Sequence, residues 1–229
     1  MINNDPNADT RQQAECPKCH ARQEATPITV IAPQTEALKQ LFKGELNQLE
    51  CRECGTRFLL QSPLIFHDDA REKLIYYIPV ERRDNWAEAE KEMEKITGAL
   101  ADTNEQATKP DCRLTLTRRS FIEKIAIHLA GRDDRVIEYL KYQLYRKPDG
   151  QIDPVRTELL YDFSDQSEEQ LKFILFDRET GQAQAATHIP IQLYDELVET
   201  FLKDDDMKEE LDSLFSGHFV NVEKLLGLC

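Results

Sequence analysis

The sequence predicts an α+β chain built in two parts. Three observations carry that expectation. Two Cys-x-x-Cys pairs near the N-terminus stand among short strand-like stretches. Apolar stripes with helical spacing recur through the rest of the chain, as over Trp86, Ala89, Met93, Ile96 and Leu100. Strand-like runs bounded by turn residues lie between those stripes, as over 158–163, 171–177 and 184–188.

The first pair reads Cys16-Pro17-Lys18-Cys19 and the second Cys51-Arg52-Glu53-Cys54-Gly55. Two residues between thiols allow a tight turn that aims both sulfurs at one point. Two such knuckles facing each other make a tetrahedral four-sulfur site suited to zinc, at a Zn–S distance of ~2.3 Å. Gly55 fits the residue after the second thiol, where φ is often positive. His20 takes that place in the first knuckle, and histidine tolerates it better than most residues. Cys16, Cys19, Cys51 and Cys54 are therefore the expected ligands of one structural Zn²⁺ in a zinc-ribbon-like module. A redox Cys-x-x-Cys is the rival, but it opens a helix after a strand, and here strand-like sequence flanks each pair. His20 or His67 is an alternative ligand, though nothing requires one.

The 31 residues between the pairs exceed a minimal ribbon and are readable. Ile28 to Ile31 is a strand candidate, and Thr35 to Lys43 a short helix with Leu38, Leu41 and Phe42 on one face and Gly44 as its stop. Leu46 to Glu50 and Arg57 to Leu60 flank the second knuckle as strands. Leu64 to Pro79 reads as a hairpin whose polar turn holds His67, Asp68 and Asp69. Arg82 to Leu100 reads as a helix, and 101–111 as a small, polar linker. These boundaries give a first domain over 13–100 and a second over 112–229.

In the second domain Cys112 to Thr117 opens as a strand. Ser120 and Glu123 form a capping-box pattern ahead of Phe121, Ile125 and Leu129. Gly131 closes that helix, and Asp133 or Asp134 caps the next, with Val136, Ile137, Leu140 and Leu144 inward. Three strands follow, the last two joined through Glu179-Thr180-Gly181. Helices over 192–203 and 207–215 come last, and no internal repeat is evident.

Composition limits function. The chain has 229 residues, 40% hydrophobic and 31% charged, with a net charge of -14. Asp195 to Asp212 alone holds nine acids against Lys203 and Lys208. Such a surface opposes direct nucleic-acid binding. No apolar run approaches the ~20 residues of a membrane span. Met1 to Glu15 lacks a secretory signal's apolar stretch, so a cytoplasmic location is expected. Cys112 reads as a small buried hydrophobe, and Cys229 stands alone. Arg82-Arg83, Arg118-Arg119 and Arg146-Lys147 are scattered basic pairs.

Several blocks together resemble the CpXC domain family of bacteria and archaea. They are the first knuckle, Gly44-Glu45-Leu46-Asn47 with the second knuckle, Pro63-Leu64, Phe66-His67-Asp68 and Ile75-Tyr76-Tyr77-Ile78-Pro79. Glu123-Lys124-Ile125 and the run from Gly131 to Lys141 look like a second block of that family. The resemblance implies a zinc-ribbon-like module, not an activity. No catalytic motif is present. The leading expectation is a non-catalytic protein with a protein partner. One alternative is a transcription- or nucleic-acid-associated accessory factor. Another is an enzyme of unrecognised type using His67, Asp68 and Asp69 or Asp133 and Asp134 with a cation.

Overall fold

A computed structural model describes residues 11–80, 86–101, 111–147, 152–164 and 167–228. It holds helices and sheets in the α+β proportion expected, and it divides into two units. The first comprises residues 1–79 and 93–117, the second 80–92 and 118–229.

In the first unit two short hairpins carry the cysteine pairs. Strand β1 (Gln12–Glu15) pairs antiparallel with β2 (Arg22–Ala25). Strand β4 (Gln48–Glu50) pairs with β5 (Arg57–Leu59) in the same way. Between the hairpins lie β3 (Val30–Ile31) and helix α1 (Glu36–Lys43). Thr35 Oγ1 accepts from Leu38 N–H at the helix start, and Gly44, at φ 76, ends it in the left-handed region that glycine enters without penalty. The inserted helix stands where the sequence places it.

Strand β6 (Leu64–Asp68) and β7 (Lys73–Tyr77) form the expected hairpin around a 3-10 turn over Asp69–Arg71. They sit in a four-stranded sheet ordered β3-β6-β7-β8, where β8 is Asp111–Thr115. Every residue of β7 is buried, as suits a central strand. Strand β8 was expected to open the second domain. It runs parallel to β7 instead, with Leu74 opposite Cys112 and Tyr76 opposite Leu114. Thr115 Oγ1 donates to Tyr76 O at 2.8 Å. The apolar alternation of residues 112–116 fits the edge of this sheet, so the first unit reclaims it beyond the expected linker. Of that linker, 102–110 lies outside the described residues, as do Arg82, Arg83 and Cys229.

Helix α2 (Trp86–Ala101) gives its first residues to the second unit, where Trp86 stacks on Phe219. Helices α3 (Arg118–Leu129) and α4 (Asp134–Tyr145) follow. Helix α3 starts two residues before Ser120, so Ser120 and Glu123 are no capping box. Glu123 is drawn inward to Lys141 and the Tyr161 amide instead. Asp133 caps α4 by accepting from Arg135 N–H at 2.9 Å. Val136, Ile137, Leu140 and Leu144 are buried as their spacing requires.

Strands β9 (Thr157–Tyr161), β10 (Gln170–Asp177) and β11 (Ala183–Pro190) form an antiparallel sheet with β10 central. Helices α5 (Ile191–Lys203), α6 (Asp205–Leu214) and α7 (Val222–Leu226) complete the unit. Its core gathers Leu140, Leu159, Phe173, Phe201 and Phe215 among others.

Candidate metal centre

The two knuckles repeat each other bond for bond. Cys16 N–H donates to Ala21 O at 2.9 Å, and Cys51 N–H to Thr56 O at 2.9 Å. His20 N–H donates to Cys16 O at 3.0 Å, and Gly55 N–H to Cys51 O at 2.9 Å. His20 stands at φ 59 and Gly55 at φ 68, so both turns use the left-handed residue expected after the second thiol. On the strand stems Arg22 Nε lies 3.2 Å from Glu15 Oε2, and Arg57 Nε lies 3.3 Å from Glu50 Oε2.

The matched contacts reveal an internal repeat that the sequence reading missed. Glu15-Cys16-x-x-Cys19-x-x-Arg22 recurs as Glu50-Cys51-x-x-Cys54-x-x-Arg57. The repeat extends to Ala14 with Leu49 and to Ala25 with Leu60. These four side chains, with Phe58, form the small apolar cluster of the hairpin pair. The signal was legible in the Glu and Arg at fixed offsets from each thiol. Gln23 breaks the symmetry, since Phe58 occupies the equivalent place. Its Nε2 donates to Glu50 O at 3.2 Å and its Oε1 accepts from Arg52 N–H at 3.1 Å, bracing one hairpin to the other.

This framework brings the four expected cysteines together. One sulfur of each lies within 4.8 Å of all the others. Across the knuckles, Cys16 Sγ is 3.6 Å from Cys54 Sγ and Cys19 Sγ is 3.5 Å from Cys51 Sγ. A tetrahedron of Zn–S bonds of ~2.3 Å has edges of about 3.8 Å. The donor set therefore fits a tetrahedral thiophilic ion. Cys16 and Cys51 are buried, while Cys19 and Cys54 lie toward solvent.

The thiols are not equivalent. The Thr56 hydroxyl, then the Thr56 amide, pull Cys54 down to about 6. The Cys19 amide leads the groups that lower Cys16, against its burial. At Cys19 the Ala21 amide pulls downward, but the neighbouring thiols and burial outweigh it and push the group up to about 12. Four ionised sulfurs at these distances repel one another, and a bound cation removes that cost.

The histidines sit elsewhere. His20 Nδ1 lies 3.1 Å from Glu15 Oε1, and His67 Nε2 lies 2.8 Å from Asp69 Oδ1. Asp68 is buried at the end of β6. Asp133 binds the Arg135 guanidinium at 2.6 Å, and Asp134 lies 3.2 Å from Lys124 Nζ. Among the described residues the cysteines form the group with metal-ligating geometry.

A second cluster, in the other unit, was not foreseen. Glu123, Lys124, Asp134, Glu138 and Lys141 are all buried, three carboxyls against two ammoniums. Lys124 Nζ lies 2.9 Å from Glu138 Oε1, and Lys141 Nζ lies 2.7 Å from Glu123 Oε1 and 3.1 Å from Glu138 Oε1. Glu123 also accepts from Tyr161 N–H at 2.5 Å, and Glu138 from Val222 N–H at 2.9 Å. The cluster thus ties α3 and α4 to β9 and α7. Burial raises the Glu138 carboxyl, but Lys124 and Lys141 outweigh it and hold the group below its ordinary value. Burial likewise lowers Lys141, and Glu123 and Glu138 reverse that.

Two knuckles converging four thiols on one point, within an α+β chain, define a zinc-ribbon-like module. A family model described as CpXC protein matches residues 14–141, and the chain belongs to that family. The match covers both knuckles and all five members of the buried charge cluster. Neither the curated proteins nor the solved structures contain a match to the chain.

Proposed function

We propose that the chain is a zinc-binding, non-catalytic interaction protein whose metal is structural and whose partner is another protein. The observation behind this reading is the convergence of four thiols within 4.8 Å. Four thiolates fill a tetrahedral coordination sphere, which leaves no open position for substrate or water. Donor chemistry supports Zn²⁺ as the ion, since soft sulfur in a tetrahedral array suits it. Asp133, Asp134 and His67 are engaged in caps and ion pairs, which supports a structural part for them. The net charge of -14 favours protein partners over nucleic-acid backbones. No described helix is long and apolar enough to cross a membrane.

Two measurements test this reading on untagged full-length protein. Elemental analysis is expected to give one zinc per chain, lost in a Cys16→Ser, Cys51→Ser variant. Affinity capture from a native lysate is expected to recover a defined protein partner. Metal-free protein of unchanged fold removes the zinc assignment. A specific turnover in activity screens, with no recovered partner, removes the non-catalytic one.

A further inference from the structure

Strand β11 is an open sheet edge with unusual composition. It borders the β9-β10-β11 sheet and pairs with β10 alone among the described strands. Thr180 to Tyr194 is the longest stretch of the chain without Asp, Glu, Lys or Arg, and β11 lies within it. Yet Ala183, Gln184, Ala185, Ala186, His188 and Pro190 are all exposed. Open edges normally carry charges that stop another strand from adding. None stands on β11.

Backbone alternation shows which groups are free. Asp162 N–H donates to Lys172 O, which turns Lys172 toward β9, and Ile191 N–H donates to Glu169 O from the opposite side of β10. Leu171, Phe173 and Leu175 therefore turn toward β11, where they face Ile189, Thr187 and Ala185. That leaves the N–H and C=O of Ala186 and His188 on the open edge.

Both ends of this edge are blocked. A register shift between Leu175 and Phe176 leaves Gln184 as the extra residue of a bulge, and its side chain donates to Asp177 Oδ2 at 3.0 Å. Pro190 has no N–H to offer. The regular window is Ala185 to Ile189, with Thr187 at its centre.

We propose that this window pairs antiparallel with the same window of a second copy, about a two-fold axis through Thr187. In that register Thr187 faces Thr187 of the second copy, a favourable cross-strand pair. Ala186 faces His188 of the second copy, so the free N–H and C=O groups of each find partners. Ala185 faces Ile189 of the second copy on the core side. Any other antiparallel register leaves part of one window unpaired or runs it into a bulge or a proline. The short alanine side chains offer little to select a different extended peptide, whereas self-pairing needs only symmetry. The uncharged stretch also lets two strongly acidic molecules meet without acid opposite acid. This pairing is independent of the metal centre.

Such an edge contact falls below the ~1,200 Å² of a stable interface, so the dimer is weak, with Kd on the order of 10–100 µM. Sedimentation equilibrium of the full chain across that range is expected to show a monomer–dimer equilibrium. Raising salt should tighten it by screening mutual repulsion, whereas binding to a basic partner would loosen. Ala186→Pro removes an outward N–H and no hydrogen bond to β10, so it should weaken the dimer at least tenfold with little loss of Tm. Thr187→Lys, which sets like charges across the axis, should do the same and serves if the proline variant folds poorly. Protein that stays monomeric at 0.3 M salt, or a dimer indifferent to both variants, overturns the proposal. So does a monomer whose Ala186 and His188 amides gain exchange protection only when an unrelated extended peptide is added.

Discussion

The cysteine hairpins and the second unit are held together by different forces. In the hairpin pair the apolar cluster buries only Ala14, Ala25 and Leu60, with Leu49 and Phe58 partly covered. The second unit packs Phe173, Phe201, Phe215, Leu140 and thirteen more buried side chains into one core. Three small side chains bury too little apolar surface to offset the ordering of four strands. A metal ion held by the four sulfurs would supply the stability that this surface does not. The larger core has enough in reserve to enclose five charged groups. The one region offers four sulfurs to an external cation, and the other carries its own cations in the form of lysines.

The sharpest way to break the comparison is to remove the metal. Binding free energy in small zinc sites is ~10 kcal/mol or more and doubles as folding free energy. Hydrogen exchange under a strong chelator should release the amides of residues 12–25 and 48–59. Those of β9 and β10 should stay protected. Equal loss of protection in both regions would show that they do not depend on the metal differently.

Next in size comes the charge cluster. Glu138→Ala removes the carboxylate that both lysines share, leaving Lys124 to Asp134 and Lys141 to Glu123, and leaves the Val222 amide without its acceptor. Because each lysine keeps one carboxylate, the cost is that of a buried amide left unsatisfied, about 1–3 kcal/mol. Urea unfolding should report that loss in the second unit, while zinc content stays at the wild-type level. A loss below about 1 kcal/mol would mean that water or a rearranged lysine replaces the carboxylate.

The smallest effect concerns pH. Burial raises the Asp162 carboxyl, but Ser164, with its hydroxyl at 2.6 Å, and Lys172, at 3.0 Å, hold it below 3.8. A depressed folded value stabilises the native state above the unfolded pKa. That contribution fades as pH falls through the folded value. The urea midpoint of the wild type should therefore drop below about pH 4, and Asp162→Asn should flatten that drop. Parallel acid limbs in the two proteins would assign the pH dependence to other carboxyls.

The readable parts of the sequence were those whose cause is local. Thr35 and Gly44 mark the ends of α1, the cysteine spacing defines each knuckle, and the 3.6-residue period of Val136, Leu140 and Leu144 marks α4. The unreadable parts depend on distant partners. Nothing within residues 111–115 says that they pair with residues 73–77, so the domain boundary was drawn at 112. Glu123 and Ser120 look like a helix start because the lysine that claims Glu123 is 18 positions away. Helix α7 is five residues long and too short to show a period. The repeat around the thiols was overlooked because the strands separating its copies share no pattern with them.

The placement of β3 and α1 between the knuckles bears on how the molecule assembles. Strand β3 is held by β6, with Val30 opposite Ile65, and this pairing fixes the intervening chain at a point that uses no metal ligand. Closing a loop costs entropy that grows with its length, and a segment fixed at that point shares this cost with the sheet. A nascent chain that has not yet emerged past residue 68 lacks this help. Until residue 54 has also emerged, the first knuckle offers only two thiols, too few to close the site.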